Sequence, residues 1–231
     1  MSYRIGVLLS GNGVYDGSEI HESVFTLLAI DENRGEAVCM APDIEQHHVV
    51  NHITGNEMPE KRNVLVEAAR IARGAITDLA EVKAEDLDAL VIPGGFGAAK
   101  NLTTWAFSGP DGDINTEVKR IINEFVQSRK PVVGLCMGPT VIAKALEGVG
   151  LEERLTVGTT KERSPYEIGA ISQGMEKTGA VAEMKTVREI AIDHKNRIIS
   201  APCYMMEASI TDVRNNIKQA VDALFEMLEE K

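Results

Sequence analysis

Short β-branched apolar runs alternate with stretches of helical periodicity along most of this chain. RIGVLLS is followed by EIHESVFTLLAIDENRG, EAVCMAP by NVLVEAARIARG, DALVIPGG by DINTEVKRIINEFVQSR, and PVVGLC by PTVIAKALEG. Strands that read as continuous apolar runs are buried on both faces, and a helix between each pair carries the chain back for parallel pairing. The pattern therefore predicts an α/β fold, a three-layer sandwich around a mostly parallel central sheet. Asn63 and Asp113 stand where N-caps belong, and Gly35, Gly74 and Gly148 where helices should stop. Beyond Gly158 the rhythm changes. SPYEIGAISQGM is a weak helix, REIAIDHKNRIISAP reads as a small antiparallel edge hairpin turning at His194-Lys195-Asn196, and a last helix spans roughly 211–228. At 231 residues, with no repeat, low-complexity tract or linker, residues 1–231 are expected to form a single domain.

The charge balance is 24 Lys and Arg against 35 Asp and Glu, a net −11. Phosphate binding needs local positive charge, so neither nucleic acid nor an anionic membrane surface is expected as a partner. No apolar run approaches a membrane span and the N-terminus lacks a signal-peptide pattern, so the expected location is cytoplasmic. Three unevenly spaced cysteines form no disulfide framework. No C-x-x-C or H-E-x-x-H points to a metal, and no cofactor is expected.

In an open parallel sheet, ligands bind where loops leave the carboxyl ends of the strands. Three such loops stand out: GNGVYDGSEIHE, PGGFGAAKNL and the turn around Cys136. Gly134-Leu135-Cys136-Met137-Gly138 is a G-x-C-x-G strand-to-helix junction, the device hydrolases use to expose a nucleophilic serine. The helix N-terminus beside it favours thiolate, which predicts a lowered Cys136 pKa. Cys39 reads as core filler; Cys203 reads as structural, though close to the site. In the first loop Asp16 and Glu19 suit a helix N-terminus, while Glu22, one turn deeper on an apolar segment, is the sharper candidate for a buried, protonated partner of the thiol. The Gly95 and Met137 N–H groups, with Gly94 beside them, are expected to hold a developing oxyanion. Glu19 and Pro139 would sit just behind. A triad hydrolase would need a histidine, and none of His21, His47, His48, His52 or His194 follows the elbow strand closely; triad hydrolysis is disfavoured.

On VIPGGFGAAKNL, VVGLCMGPTVIAKAL and GSEIHESV the chain resembles the PfpI superfamily, the class I glutamine-amidotransferase-like proteins. On SGNGVYDGSEIHE, NHITGNEMPEKRNVLVEAARIARG and IISAPCYMMEA it is similar, more narrowly, to the ElbB group of glyoxalase-like proteins linked to lycopene and isoprenoid biosynthesis. The resemblance spans nearly the whole chain. It implies a flavodoxin-like sandwich, a Cys136 nucleophile with Glu22 as partner, and a homodimer. It departs at Asn12, where a relative carries cysteine, and at GTTKERSP, which occupies the place of the superfamily's triad histidine. The expected activity is cofactor-free conversion of small 2-oxoaldehydes, methylglyoxal or glyoxal, to hydroxy acids. Two other readings stay open: a redox-sensing or interaction protein whose Cys136 is oxidised, and a glutaminase-like subunit.

Overall fold

A computed structural model describes residues 2–230. Five strands reproduce the repeating part of the sequence pattern or extend it: β1 (Arg4–Leu8), β2 (Glu36–Ala41), β3 (Ile76–Asp78), β4 (Ala89–Ile92) and β5 (Val132–Leu135). Helices α1 (Ile20–Glu32), α2 (Val64–Ile71), the short α3 (Trp105–Ser108), α4 (Thr116–Gln127) and α5 (Gly138–Leu146) follow their strands. The later part adds β6 (Arg154–Gly158), α6 (Ile168–Thr178), β7 (Val181–Met184), β8 (Ala191–Asp193), β9 (Ile198–Ala201) and α7 (Ile210–Glu229).

Seven strands form one sheet in the order β3-β2-β1-β4-β5-β9-β8. Every neighbouring pair is parallel except β8 with β9, the expected antiparallel hairpin at the edge. The central strands β4 and β5 are buried at every residue, as a sheet covered on both faces requires. From β1 the chain winds one way through β2 to β3, and from β4 the other way to β5. Since crossovers are right-handed, α1 and α2 must lie on one face and α4 on the other. The reversal falls between β1 and β4, and the loops leaving their carboxyl ends separate there to open a crevice.

The helices form where apolar spacing and caps coincide. In α4, Val118, Ile121, Ile122 and Phe125 recur at helical spacing and are all buried. Its N-cap is Asn115, whose side chain accepts from the Glu117 and Val118 N–H groups; Asp113, the sequence expectation, lies two residues early and its own N–H donates to Thr104 Oγ1. Asn63 caps α2 as expected. At the ends of α1 and α2 a left-handed arginine precedes the glycine, and Gly74, at φ +85°, is left-handed as well. Arg34 and Arg73 adopt φ of 60° and 53°, and Gly35 and Gly74 come one position later, donating back to Ile30 O (2.9 Å) and Ala69 O (2.8 Å). Gly35 is glycine for a different reason: a Cβ there would lie 2.6 Å from the Phe225 ring. Sequence periodicity missed β3 and the separate two-stranded sheet of β6 and β7, because β3 and β7 are three and four residues with none buried, and the five residues of β6 are interrupted by Thr156.

Candidate active site

The elbow joins β5 to α5, and Cys136 at its apex has φ +56°, a left-handed conformation uncommon for a residue with a side chain. Packing holds it there. The Cys136 N–H donates to Ala201 O at 2.9 Å, extending the β5–β9 ladder one residue past the strand. A Cβ on Gly138 would lie 2.5 Å from Ile92 O, and one on Gly134 would lie 2.9 Å from Pro139 N, so the turn closes only with glycine on both sides. Pro139 itself sits in the first turn of α5, where a missing N–H leaves no helix bond unmade.

Glu22 lies beneath the elbow and is completely buried. Its Oε2 accepts from the Gly94 N–H (3.0 Å) and its Oε1 from the Tyr204 N–H (3.2 Å), so the turn after β4 and the segment after β9 both fix a side chain of α1. The Gly94 N–H is thereby committed to the acid and does not face a substrate oxygen. Glu22 is within hydrogen-bonding reach of the Cys136 thiol. A Cβ on Gly94 would sit 2.6 Å from Glu22 Oε2 and 2.7 Å from Cys136 Sγ, which leaves no room there for any side chain. Burial, and then the charge of Glu19, push the Glu22 carboxyl up to about 8 against the pull of its hydrogen bonds. Below that value it keeps its proton. Glu19 is the N-cap of α1: its side chain accepts from the Glu22 N–H (2.7 Å), its own N–H donates to Gly94 O (3.0 Å), and burial raises it as well.

The N–H groups of Gly95 and Met137 lie beside the Cys136 sulfur. Both lower its pKa, but burial and the neighbouring Glu22 outweigh them, and the thiol is pushed well above its usual range. The lowered pKa expected from the helix N-terminus is therefore corrected: at rest the sulfur is a thiol. Cys136 is 5 % exposed, and its open side faces a cavity of about 240 Å³. Glu19, Gly95, Cys136 and Met137 form one part of the wall, and Phe96, Trp105, Ile171 and Met205 another.

Tyr166 and Tyr204 also line the cavity and were not foreseen. Burial and the nearby Cys136 and Glu22 push the Tyr166 phenol up to about 12, so it stays a neutral hydroxyl. The Tyr204 hydroxyl lies 2.9 Å from His21 Nδ1 on the exposed side of α1. Tyr204 adjoins Cys203 in the IISAPCYMMEA segment, so its neighbourhood was legible; Tyr166 sits in a stretch with no periodic signal. Asp16 precedes α1 rather than capping it, and its Oδ2 accepts from the Val50 N–H (2.7 Å). Cys203 is fully buried behind the elbow, and Cys39 lies in β2 with its thiol pushed by burial to about 11. Among the described residues no histidine lines the cavity, and no cluster of three or more His, Cys, Asp or Glu is placed to hold a metal.

The DJ-1/PfpI family model matches residues 44–187, more than half of the chain, including Gly94, Gly95 and the Cys136 elbow. The chain belongs to the DJ-1/PfpI family. A human relative, glutamine amidotransferase-like class 1 domain-containing protein 3, mitochondrial, is 41 % identical over 228 residues, covering 97 % of this chain and 83 % of its own length. The zebrafish ES1 protein, mitochondrial, is 30 % identical over 213 residues, covering 88 % of this chain and 77 % of its own. Among solved structures, an isoprenoid biosynthesis protein with amidotransferase-like domain from Ehrlichia chaffeensis superposes with a TM-score of 0.89 at 32 % identity, over 99 % of this chain and all of that one. Drosophila melanogaster DJ-1beta, at 15 % identity and a TM-score of 0.58, shares the fold. These family members carry the flavodoxin-like α/β sandwich expected from the sequence. The cytoplasmic expectation does not stand, since the curated relatives are named mitochondrial; free thiols and an acidic composition report redox state and solubility, not an address.

Proposed function

We propose that this DJ-1/PfpI protein is a cofactor-independent, glyoxalase-like enzyme that converts small 2-oxoaldehydes to 2-hydroxy acids. One observation carries the reading: a proton-bearing carboxyl in hydrogen-bonding reach of a thiol that two backbone N–H groups also address, at the wall of a cavity. As the sulfur adds to the aldehyde carbon, Glu22 in its base form takes the S–H proton. The new oxyanion is held by the Gly95 and Met137 N–H groups and receives that proton to give a hemithioacetal. Glu22 then removes the hydrogen from the former aldehyde carbon, forming an enediol, and returns a proton to the adjacent carbon, leaving a thioester. Water cleaves the thioester, releasing the hydroxy acid and restoring the thiol. The balance is one oxoaldehyde and one water in, one hydroxy acid out.

The glutaminase reading draws less support because no imidazole lines the cavity. The redox reading draws less support because a protonated, 5 % exposed thiol is a slow target for peroxide. Membership of the ElbB group and a connection to isoprenoid biosynthesis are part of this proposal, supported by the name of the Ehrlichia protein. So is a homodimer, supported by Ile20, Val24 and Leu28, an apolar stripe on α1 that is 42–47 % exposed. The test is lactate formation from methylglyoxal. Cys136→Ala abolishes it and Glu22→Gln lowers kcat/KM by about 10²–10⁴-fold; turnover that survives Cys136→Ala overturns the mechanism.

A further inference from the structure

The cavity is larger than the oxoaldehydes considered so far. A water molecule occupies roughly 30 Å³ of liquid, so a volume of about 240 Å³ accommodates about eight water-sized groups, well beyond the three carbons and two oxygens of methylglyoxal. The excess space is apolar. Polar groups that could orient a carbonyl gather around Cys136, Gly95 and Met137, while Phe96, Ala99, Trp105 and Ile171 form the wall elsewhere. That wall is fixed rather than collapsible. Trp105 is 6 % exposed and lies so close to α6 that a Cβ on Gly174 would be 2.9 Å from its ring and 3.4 Å from Pro110 Cδ. Ala99 is fully buried in the helical turn of 98–102, between the buried Ala98 and Asn101, and its small side chain leaves the space open. Preformed apolar cavities with a few convergent polar groups are how proteins bind molecules that are apolar at one end and polar at the other.

We infer that the preferred substrate is a 2-oxoaldehyde whose ketone carbon carries a bulky apolar substituent, an alkyl or aryl group of roughly four to eight carbons, seated against Ala99, Trp105 and Ile171. This rests on the assignment of Cys136 and Glu22 above and adds the class of substituent. Ala99 and Trp105 then set specificity without touching the reacting atoms.

Trp105 is the sole tryptophan of the chain, so its fluorescence reports occupation of the wall independently of turnover. The first experiment titrates the purified protein with cyclohexyl methyl ketone and with acetone. Cyclohexyl methyl ketone is expected to shift Trp105 emission and to bind at least tenfold more tightly, a preference that Ala99→Val, and the solvent-exposed mouth variant Ala106→Leu, reduce tenfold. The second compares kcat/KM for phenylglyoxal and methylglyoxal, each divided by the rate of that aldehyde with a free thiol. A corrected ratio of ten or more in favour of phenylglyoxal, lowered by the same two variants, is expected. Equal affinity for the two ketones, or a ratio that the variants leave unmoved, overturns the inference. Selective ketone binding without turnover of either aldehyde overturns the proposed function, and the substrate assignment with it, while the apolar subsite at Ala99, Trp105 and Ile171 stands.

Discussion

Near neutral pH most Glu22 carboxyls keep their proton, because no counter-charge meets them in the interior. Turnover that begins with Glu22 as base should therefore climb with pH and level off near 8, and Glu22→Gln should remove that limb from the pH profile of kcat/KM. The same substitution should act on the thiol in the opposite sense. Glu22 raises the Cys136 pKa, so in Glu22→Gln the sulfur ionises more readily, and iodoacetamide should alkylate it severalfold faster at pH 8 while catalysis is slower. Stability follows the linkage of the same proton. The folded-state pKa is raised from 4.5 to about 8, so protonation favours the folded state fully below 4.5, and this contribution is lost as pH rises through about 8. Across that window Glu22 removes on the order of a few kcal/mol. Urea midpoints of Glu22→Gln should accordingly fall less with pH than those of wild type, and a residual slope is expected from Glu153, raised by burial to about 7.

The turn after β4 and the loop before α1 interlock through their backbones. A Cβ on Gly95 would meet Gly17 O at 2.3 Å and Glu19 N at 2.4 Å, and Gly95 also has φ +96°. Gly148, after α5, has φ +79° with open space around it. Gly148→Ala should thus cost about 1 kcal/mol of left-handed strain, and Gly95→Ala about 3 kcal/mol, strain plus overpacking, with loss of activity; equal costs in urea unfolding would show that the loops do not interlock. Elements of this kind explain what was legible. The strands β1, β2, β4 and β5 and the elbow could be read because burial on both faces and a glycine-bracketed cysteine leave marks in composition. Glu22 stood out by its place in the first turn of an apolar helix, just past the capping acid Glu19. Short β3, β6 and β7 left no such mark, and neither did Tyr166, whose position depends on how α6 packs. The thiol's charge state was misread because sequence shows the helix N-terminus beside Cys136 but not the depth at which it is buried.

At the scale of the molecule, α1 faces two ways. Its inner side delivers Glu22, and its outer side presents Ile20, Val24 and Leu28 to solvent. If two copies meet there, Val24→Glu should convert the dimer to a monomer in sedimentation equilibrium and lower the unfolding midpoint only to the value that wild type reaches on dilution. Each copy carries a formal charge of −11, so association should tighten as added salt screens the repulsion. A wild-type monomer at high salt would remove the dimer from the proposal. Of the two amides that steady Glu22, one belongs to Tyr204, 182 residues further along. A ribosome translating this message thus releases the elbow, the acid and the glycine turn long before the last support for them exists. Prematurely terminated products should be inert, and cutting the chain between the elbow and Tyr204 should yield fragments that regain activity only on being mixed.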